Sequence, residues 1–217
     1  MCRFIYFLLI AFFAGSTAVC QQSKPNIILI YTDDLGYGDL SCYGSELIQT
    51  PVLDRLASEG MRFTDFYAPA PICSPSRAGL LTGKYPVRLG LNEVFFPESW
   101  SGLTDTVLTL PQLLKQAGYN TAMVGKWHLG HHKEYLPLQR GFDKYFGIPY
   151  SNDMAGLVYI QGNKVLPEAV NQSRLTQRFT QESAQMIKDL YKQKRPFFLY
   201  LAHSMPQVPV YDSAEFT

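Results

Sequence analysis

The segment Ile27-Ile28-Leu29-Ile30-Tyr31 limits the possible folds most, because it is an unbroken apolar run. A strand with one wet face alternates apolar and polar side chains, so a continuous run predicts a strand buried on both faces of a parallel sheet. Parallel strands need crossover connections, usually helices. The chain supplies candidates for these. After Pro51, residues 52 to 58 read as a helix that stops at Gly60. A second helix is expected from about Ser76 to Thr82. A third, Leu110 to Ala117, has Pro111 near its start and Gly118 at its end, and leads into a strand at Thr121 to Val124. Thr176 to Tyr191 carries helical periodicity ahead of Pro196 and the apolar strand Phe197 to Leu201. Strands alternating with helices predict an α/β fold, a mostly parallel sheet sandwiched by helices. No repeat or linker divides residues 24 to 217, which read as one domain.

The first twenty residues stand apart from this pattern. Arg3, an apolar run from Phe4 to Phe13, and small residues before Cys20 have the layout of a secretory signal peptide. Cleavage is expected near Cys20 or Gln21, which gives an exported mature chain. The apolar run is too short to span a bilayer, so no membrane span is expected. With 19 basic and 18 acidic side chains, the chain has no global field to gather nucleic acid or a charged membrane surface. Its partners must be sought in a site. Of the 4 cysteines, Cys2 and Cys20 leave with the signal, and in an oxidising compartment Cys42 and Cys73 are expected to pair. Asn171-Gln172-Ser173 is a glycosylation acceptor if the host is eukaryotic.

In open α/β sheets ligands bind outside the carboxyl ends of the strands. The first strand ends in Thr32-Asp33-Asp34-Leu35-Gly36, where two adjacent carboxylates need a cation between them or full solvation. A calcium ion answers the first need, and a solvated acidic turn is the other reading. The next ends in Gly125-Lys126-Trp127-His128-Leu129-Gly130. Lys126 is a fixed cation and His128 titrates near neutrality, two residue types that anion handling requires; a surface turn with Trp127 packed inward explains the same residues. Between them lies Cys73-Ser74-Pro75-Ser76-Arg77, a Cys-x-Pro-x-Arg pattern expected by chance only about 0.01 times in such a composition. Its plain alternative is a buried or disulfide-bonded cysteine beside a turn proline.

Taken in order, Asp33 to Asp39, Cys73 to Gly83 and Gly125 to Gly130 resemble the signatures of the type I sulfatases, in particular the arylsulfatase A and N-acetylgalactosamine-6-sulfatase type. Gly147 to Asp153 and Arg195 to Tyr200 extend the likeness over nearly everything from Pro25 onward. The resemblance implies the N-terminal part of an alkaline-phosphatase-like sulfatase fold. It also implies that Cys73 is oxidised to Cα-formylglycine by a formylglycine-generating enzyme that reads Pro75 and Arg77. The aldehyde hydrate is then the nucleophile toward a sulfated small molecule or glycan. By the same likeness Asp33, Asp34 and residue 73 hold Ca²⁺, and Cys73 opens a helix whose positive end faces the anion. Arg77 steadies the diol, His128 contacts its second hydroxyl, Lys126 binds a sulfate oxygen, and Ser151 contacts substrate.

Two departures accompany the likeness. The family carries a histidine two residues before the proline that follows the Phe198-Leu199-Tyr200 strand, and here Gln207 precedes Val208-Pro209. Glutamine can donate a hydrogen bond to substrate but cannot transfer a proton. His203, four residues earlier, reads as a structural histidine rather than a recruited acid. A further Asp-Asn ligand pair and a later lysine expected of the family do not appear by Thr217, so the reading is of a domain truncated at its C-terminal end. The expected activity is hydrolysis of sulfate esters of sugars or aryl alcohols. A phosphodiesterase or phosphonate hydrolase of the alkaline phosphatase superfamily, and a secreted non-catalytic pseudoenzyme, are the competing expectations. The expected location is secreted, lysosomal or periplasmic, depending on the host.

Overall fold

In the computed structural model, residues 24–211 are described; the signal-peptide reading of residues 1–20 falls outside them. Six strands form one sheet: β1 (Ile27–Asp33), β2 (Asn120–Lys126), β3 (Lys144–Ile148), β4 (Val158–Gln161), β5 (Lys164–Ala169) and β6 (Phe197–Pro206). Their order is β1-β6-β2-β3-β4-β5, with β1, β6, β2 and β3 mutually parallel, β4 antiparallel to β3, and β5 antiparallel to β4. The mostly parallel α/β expectation therefore holds. The β4–β5 hairpin turns at Gly162-Asn163, with Gly162 at φ +62°, a backbone region that suits glycine.

Each face of the sheet has its own core. On β6, Phe198, Tyr200 and Ala202 join Met123 of β2 in a cluster with Trp127, Phe142, Ala78 and Leu81. The alternate residues Phe197, Leu199 and Leu201 join Ala122 and Val124 in a second cluster with Leu175, Phe179 and Leu190. That alternation is the pleat of a strand covered on both sides. The first face is covered by α2 (Cys73–Thr82) and α3 (Leu110–Gln116), the second by α4 (Leu175–Tyr191); α1 (Pro51–Glu59) buries no residue.

Two sequence expectations need correction. The run Ile27 to Tyr31 is not buried on both faces: Ile27, Leu29 and Tyr31 pack on the first core, whereas Ile28 and Ile30 are 48% and 58% exposed. β1 is an edge strand here, and the α4 core stops at β6. The second helix begins at Cys73, as the family likeness implied, and not near Ser76 as the residue pattern alone suggested, because Pro75 fits the first turn, where its missing N–H costs nothing. Its N-cap is Ile72, whose side chain makes no capping bond, so the start carried no cap residue to read.

Strand packing explains two glycines near the site. Gly125 has φ +114°, and a Cβ there would lie 1.9 Å from the Ala202 carbonyl oxygen; a Cβ on Gly147 would lie 1.9 Å from the Gly125 oxygen. Only glycine permits β6, β2 and β3 to approach this closely at their carboxyl ends. Among the described residues no helix is long and apolar enough to cross a membrane.

Candidate active site

The carboxyl ends of β1, β2 and β6 converge on the N-terminus of α2, bringing together Asp33, Cys73, Arg77, Lys126, Ser151 and Gln207. Asp33 is buried between two cations, with Oδ2 2.5 Å from Lys126 Nζ and Oδ1 3.1 Å from Arg77 Nη2. Burial works to raise its pKa, but the charges of Arg77 and Lys126 outweigh burial and hold it below the usual carboxylate value. Arg77, fully buried, donates through Nη1 to the Lys126 carbonyl oxygen at 2.7 Å and lies 5.6 Å above the Tyr31 ring. The Tyr31 hydroxyl in turn hydrogen-bonds Ser76 Oγ at 2.6 Å, tying β1 to the first turn of α2.

Lys126 is the hub of this cluster. Besides Asp33, Nζ donates to Ser151 Oγ at 2.8 Å and Gln207 Oε1 at 2.6 Å, and lies 3.3 Å from Cys73 Sγ. Cys73 Sγ is also 3.7 Å from Asp33 Oδ1 and 3.8 Å from Gln207 Oε1. Burial pushes the Cys73 thiol pKa up, and Lys126 and Arg77 do not fully offset it. The site therefore does not activate residue 73 as a thiolate. Cys42 and Cys73 are both free thiols, so the expected pairing is overturned: Cys73 is drawn into the Lys126 cluster instead.

His128 is 1% exposed and sits at φ +59°, an uncommon backbone for a non-glycine residue. Its Nε2 lies 3.0 Å from the Phe95 carbonyl oxygen. Burial first, then the charges of Lys126 and Arg77, push its pKa down to about 3, so the ring is neutral near pH 7. A carbonyl can only accept, so Nε2 carries the proton and Nδ1 keeps a bare lone pair, buried and without a partner. A neutral imidazole with a free acceptor nitrogen can take a proton from a hydroxyl. The Phe95 carbonyl left no signal in the sequence, because its role is made by backbone. Tyr31 did leave one, since it lies two residues before Asp33 on the same face of β1.

Asp34, φ +61°, is exposed and lines a cavity of about 490 Å³ together with Asp33, Cys73 and Arg77. Among the described residues no group of three or more His, Cys, Asp or Glu side chains is placed to hold a metal ion. Asp33 is already held by two cations, and two carboxylates fall short of the six to eight oxygens calcium takes. The residues present do not by themselves fit a calcium ion. His203 points into the α4 side of the sheet, its ring 6.4 Å from Phe179, which is the structural role expected of it.

Comparison with known proteins accounts for this arrangement. The model of the sulfatase family matches residues 25–217. Arylsulfatase G of Rattus norvegicus is 40% identical over 223 residues, covering 88% of this chain and 42% of that protein. N-acetylgalactosamine-6-sulfatase of Canis lupus familiaris is 41% identical over 235 residues, covering 96% of this chain and 45% of that protein. The solved structure of Ps i-CgsB in complex with k-i-k-neocarrahexaose superposes with a TM-score of 0.78 at 33% identity, over 86% of this chain and 46% of the other. The chain thus spans less than half the length of these relatives. A family match over residues 25–217, which include the strand ends that build the Lys126 cluster, makes this chain a member of the sulfatase family.

Proposed function

We propose that the protein hydrolyses sulfate esters of glycans or aryl alcohols, with residue 73, matured from cysteine to formylglycine, as its nucleophile. The observation that carries this reading is the position of Cys73 Sγ, 3.3 Å from Lys126 Nζ at the first residue of α2, where its thiol is held protonated. A cysteine kept from ionising in a cationic pocket makes poor sense as a thiolate nucleophile and good sense as a precursor. The hydrated aldehyde would supply one hydroxyl that attacks sulfur and displaces the alcohol as the ester S–O bond breaks, and a second whose deprotonation re-forms the aldehyde C=O and breaks the C–O bond to sulfate, expelling it.

The chain's own residues account for the remaining chemistry. Lys126 and Arg77 supply positive charge beside residue 73, where the transferred sulfuryl group gathers negative charge. Ser151 Oγ, 2.8 Å from Lys126 Nζ, is a second polar contact for a sulfate oxygen. His128, neutral with a bare Nδ1, is suited to take the proton from the second hydroxyl. Asp33 fixes both cations. A calcium ion on Asp33, Asp34 and residue 73 would need further oxygen ligands beside these, and no step here is routed through one. Glycans are favoured as substrates because a solved neighbour at 33% identity is described as a complex with a neocarrahexaose. The family likeness also favours sulfate esters over the phosphodiester or phosphonate alternative. Secretion, lysosomal delivery or periplasmic export would follow from a signal peptide at residues 1–20.

Mass spectrometry of the peptide containing residue 73, from protein made together with a formylglycine-generating enzyme, tests the proposal. Aldehyde or hydrate at residue 73 is expected, and unmodified thiol alone would overturn the catalytic reading. Because Gln207 cannot protonate a leaving alcohol, Gln207→His is expected to raise turnover of alkyl or sugar sulfates more than of activated aryl sulfates.

A further inference from the structure

The Lys126 ammonium has three N–H donors and four acceptors around it: Asp33 Oδ2 at 2.5 Å, Gln207 Oε1 at 2.6 Å, Ser151 Oγ at 2.8 Å and Cys73 Sγ at 3.3 Å. No donor is left for an anion. Asp33 is buried and pinned from its other oxygen by Arg77, and Ser151 is 2% exposed, so neither can leave easily. Gln207 is only half-buried and follows the last residue of β6, Pro206. Its Oε1 is also 3.1 Å from Ser151 Oγ and 3.8 Å from Cys73 Sγ. A carboxamide oxygen is thus held by a lysine, a serine and the nucleophile position together, which is the environment a sulfate oxygen needs.

We infer that the Gln207 carboxamide is an internal occupant of the anion cradle, a specificity-determining residue that must turn out before a sulfate group can bind Lys126 and Ser151. The inference rests on the proposed anion-binding role of that cradle. Gln207 Nε2 donates to Ser151 Oγ at 2.9 Å, and Oδ1 of the exposed Asp153, 3.4 Å away, is the acceptor it can take instead once the amide turns out. The amide is neutral, so it competes with an incoming anion only as a dipole. A sulfate ester, a full monoanion, gains more from Lys126 and Arg77 than the neutral amide does, whereas neutral groups do not displace it. The side chain therefore filters ligands by charge, at the cost of weakening binding of the correct one.

Titration calorimetry with inorganic sulfate, at matched ionic strength, tests this on the full chain and three variants. Wild type is expected to bind sulfate weakly. Gln207→Ala, which empties the cradle, is expected to bind about tenfold more tightly, the worth of one hydrogen bond to a charged group. Gln207→Glu is expected to lose binding, because a fixed carboxylate then occupies Lys126. Should the alanine variant melt at a lower temperature, Gln207→Asn replaces it, being one methylene too short to span the same gap. Equal or weaker sulfate binding by the emptied variant, with binding by wild type intact, overturns the inference and leaves the anion site standing. No binding by any form overturns the anion-site reading and the inference with it.

Discussion

Thr121 to Gly130 and Met61 to Pro69 are both short stretches near the candidate site, yet every residue of the first is buried and every residue of the second is exposed. The first is β2 and its continuation, paired on both sides by β6 and β3 and covered on both faces. Its backbone has no freedom left, so Lys126 and His128 are fixed by the strands around them. The second follows α1, which buries no residue of its own. The contrast teaches where preorganisation comes from: Lys126 and His128 ride on a doubly paired inner strand and its continuation, whereas Asp34 follows the end of an edge strand. Asp33 belongs to the edge strand in sequence but to the inner region in energy, since Lys126 and Arg77 hold it.

The largest effect should come from crowding the inner strand. Gly125→Ala would drive a Cβ to 1.9 Å from the Ala202 oxygen at φ +114°, and is expected to cost more than about 4 kcal/mol or to abolish folding. Gly38→Ala, on the exposed side with nothing within 4 Å of the added carbon, is expected to stay within about 0.5 kcal/mol. Urea midpoints of the two variants measure this, and similar losses would erase the distinction between the regions. A smaller test compares apolar residues on adjacent strands. Leu199→Ala, fully buried on β6, is expected to cost about 2 to 5 kcal/mol, and Ile30→Ala, 58% exposed on β1, below about 1. A large loss at Ile30 would mean that its face is covered in solution.

The same contrast governs how much the sequence disclosed. β2, β6, α3 and α4 were legible because their apolar patterns and Gly or Pro boundaries agree with the burial they reach. Ile27 to Tyr31 was legible as a strand but not as an edge, because apolar content reports what a residue can bury and not what lies against it. The β4–β5 hairpin went unread although Gly162-Asn163 is a two-residue turn signal, since its strands are short and β5 is largely exposed. At the site, Cys73, Arg77, Lys126, Ser151 and Gln207 come together as the motifs implied, while Asp34 faces the cavity apart from the Lys126 cluster. What no motif could carry was the exchange of partners among them: that Gln207 takes up a donor of Lys126, and that the Phe95 backbone fixes the tautomer of His128.

The smallest predicted effect bears on His128 and separates a buried, neutral imidazole from a merely shielded one. Its folded pKa of about 3 lies below the ordinary 6.5, so the unfolded chain takes up a proton that the folded chain refuses as pH falls below 6.5. Stability must therefore drop on acidification, by about 1 kcal/mol between pH 6.5 and 5.5, and keep dropping toward pH 3. Asp33, Asp54, Asp143 and Asp189, all held below the ordinary carboxylate value, add their own losses from about pH 5 downward, so the interval from 6.5 to about 5 reports on histidines. His203 and His131, both lowered by burial, contribute with the same sign. His128→Asn is expected to make the slope of unfolding free energy against pH shallower by close to one proton across that interval, and His131→Asn, on the half-exposed rim, by less. An unchanged slope in His128→Asn would show that the histidine takes up its proton in the folded protein as it does in the unfolded chain. A third cation would then form beside Lys126 and Arg77 as the pH falls, and the assignment of Nδ1 as the free acceptor would fall.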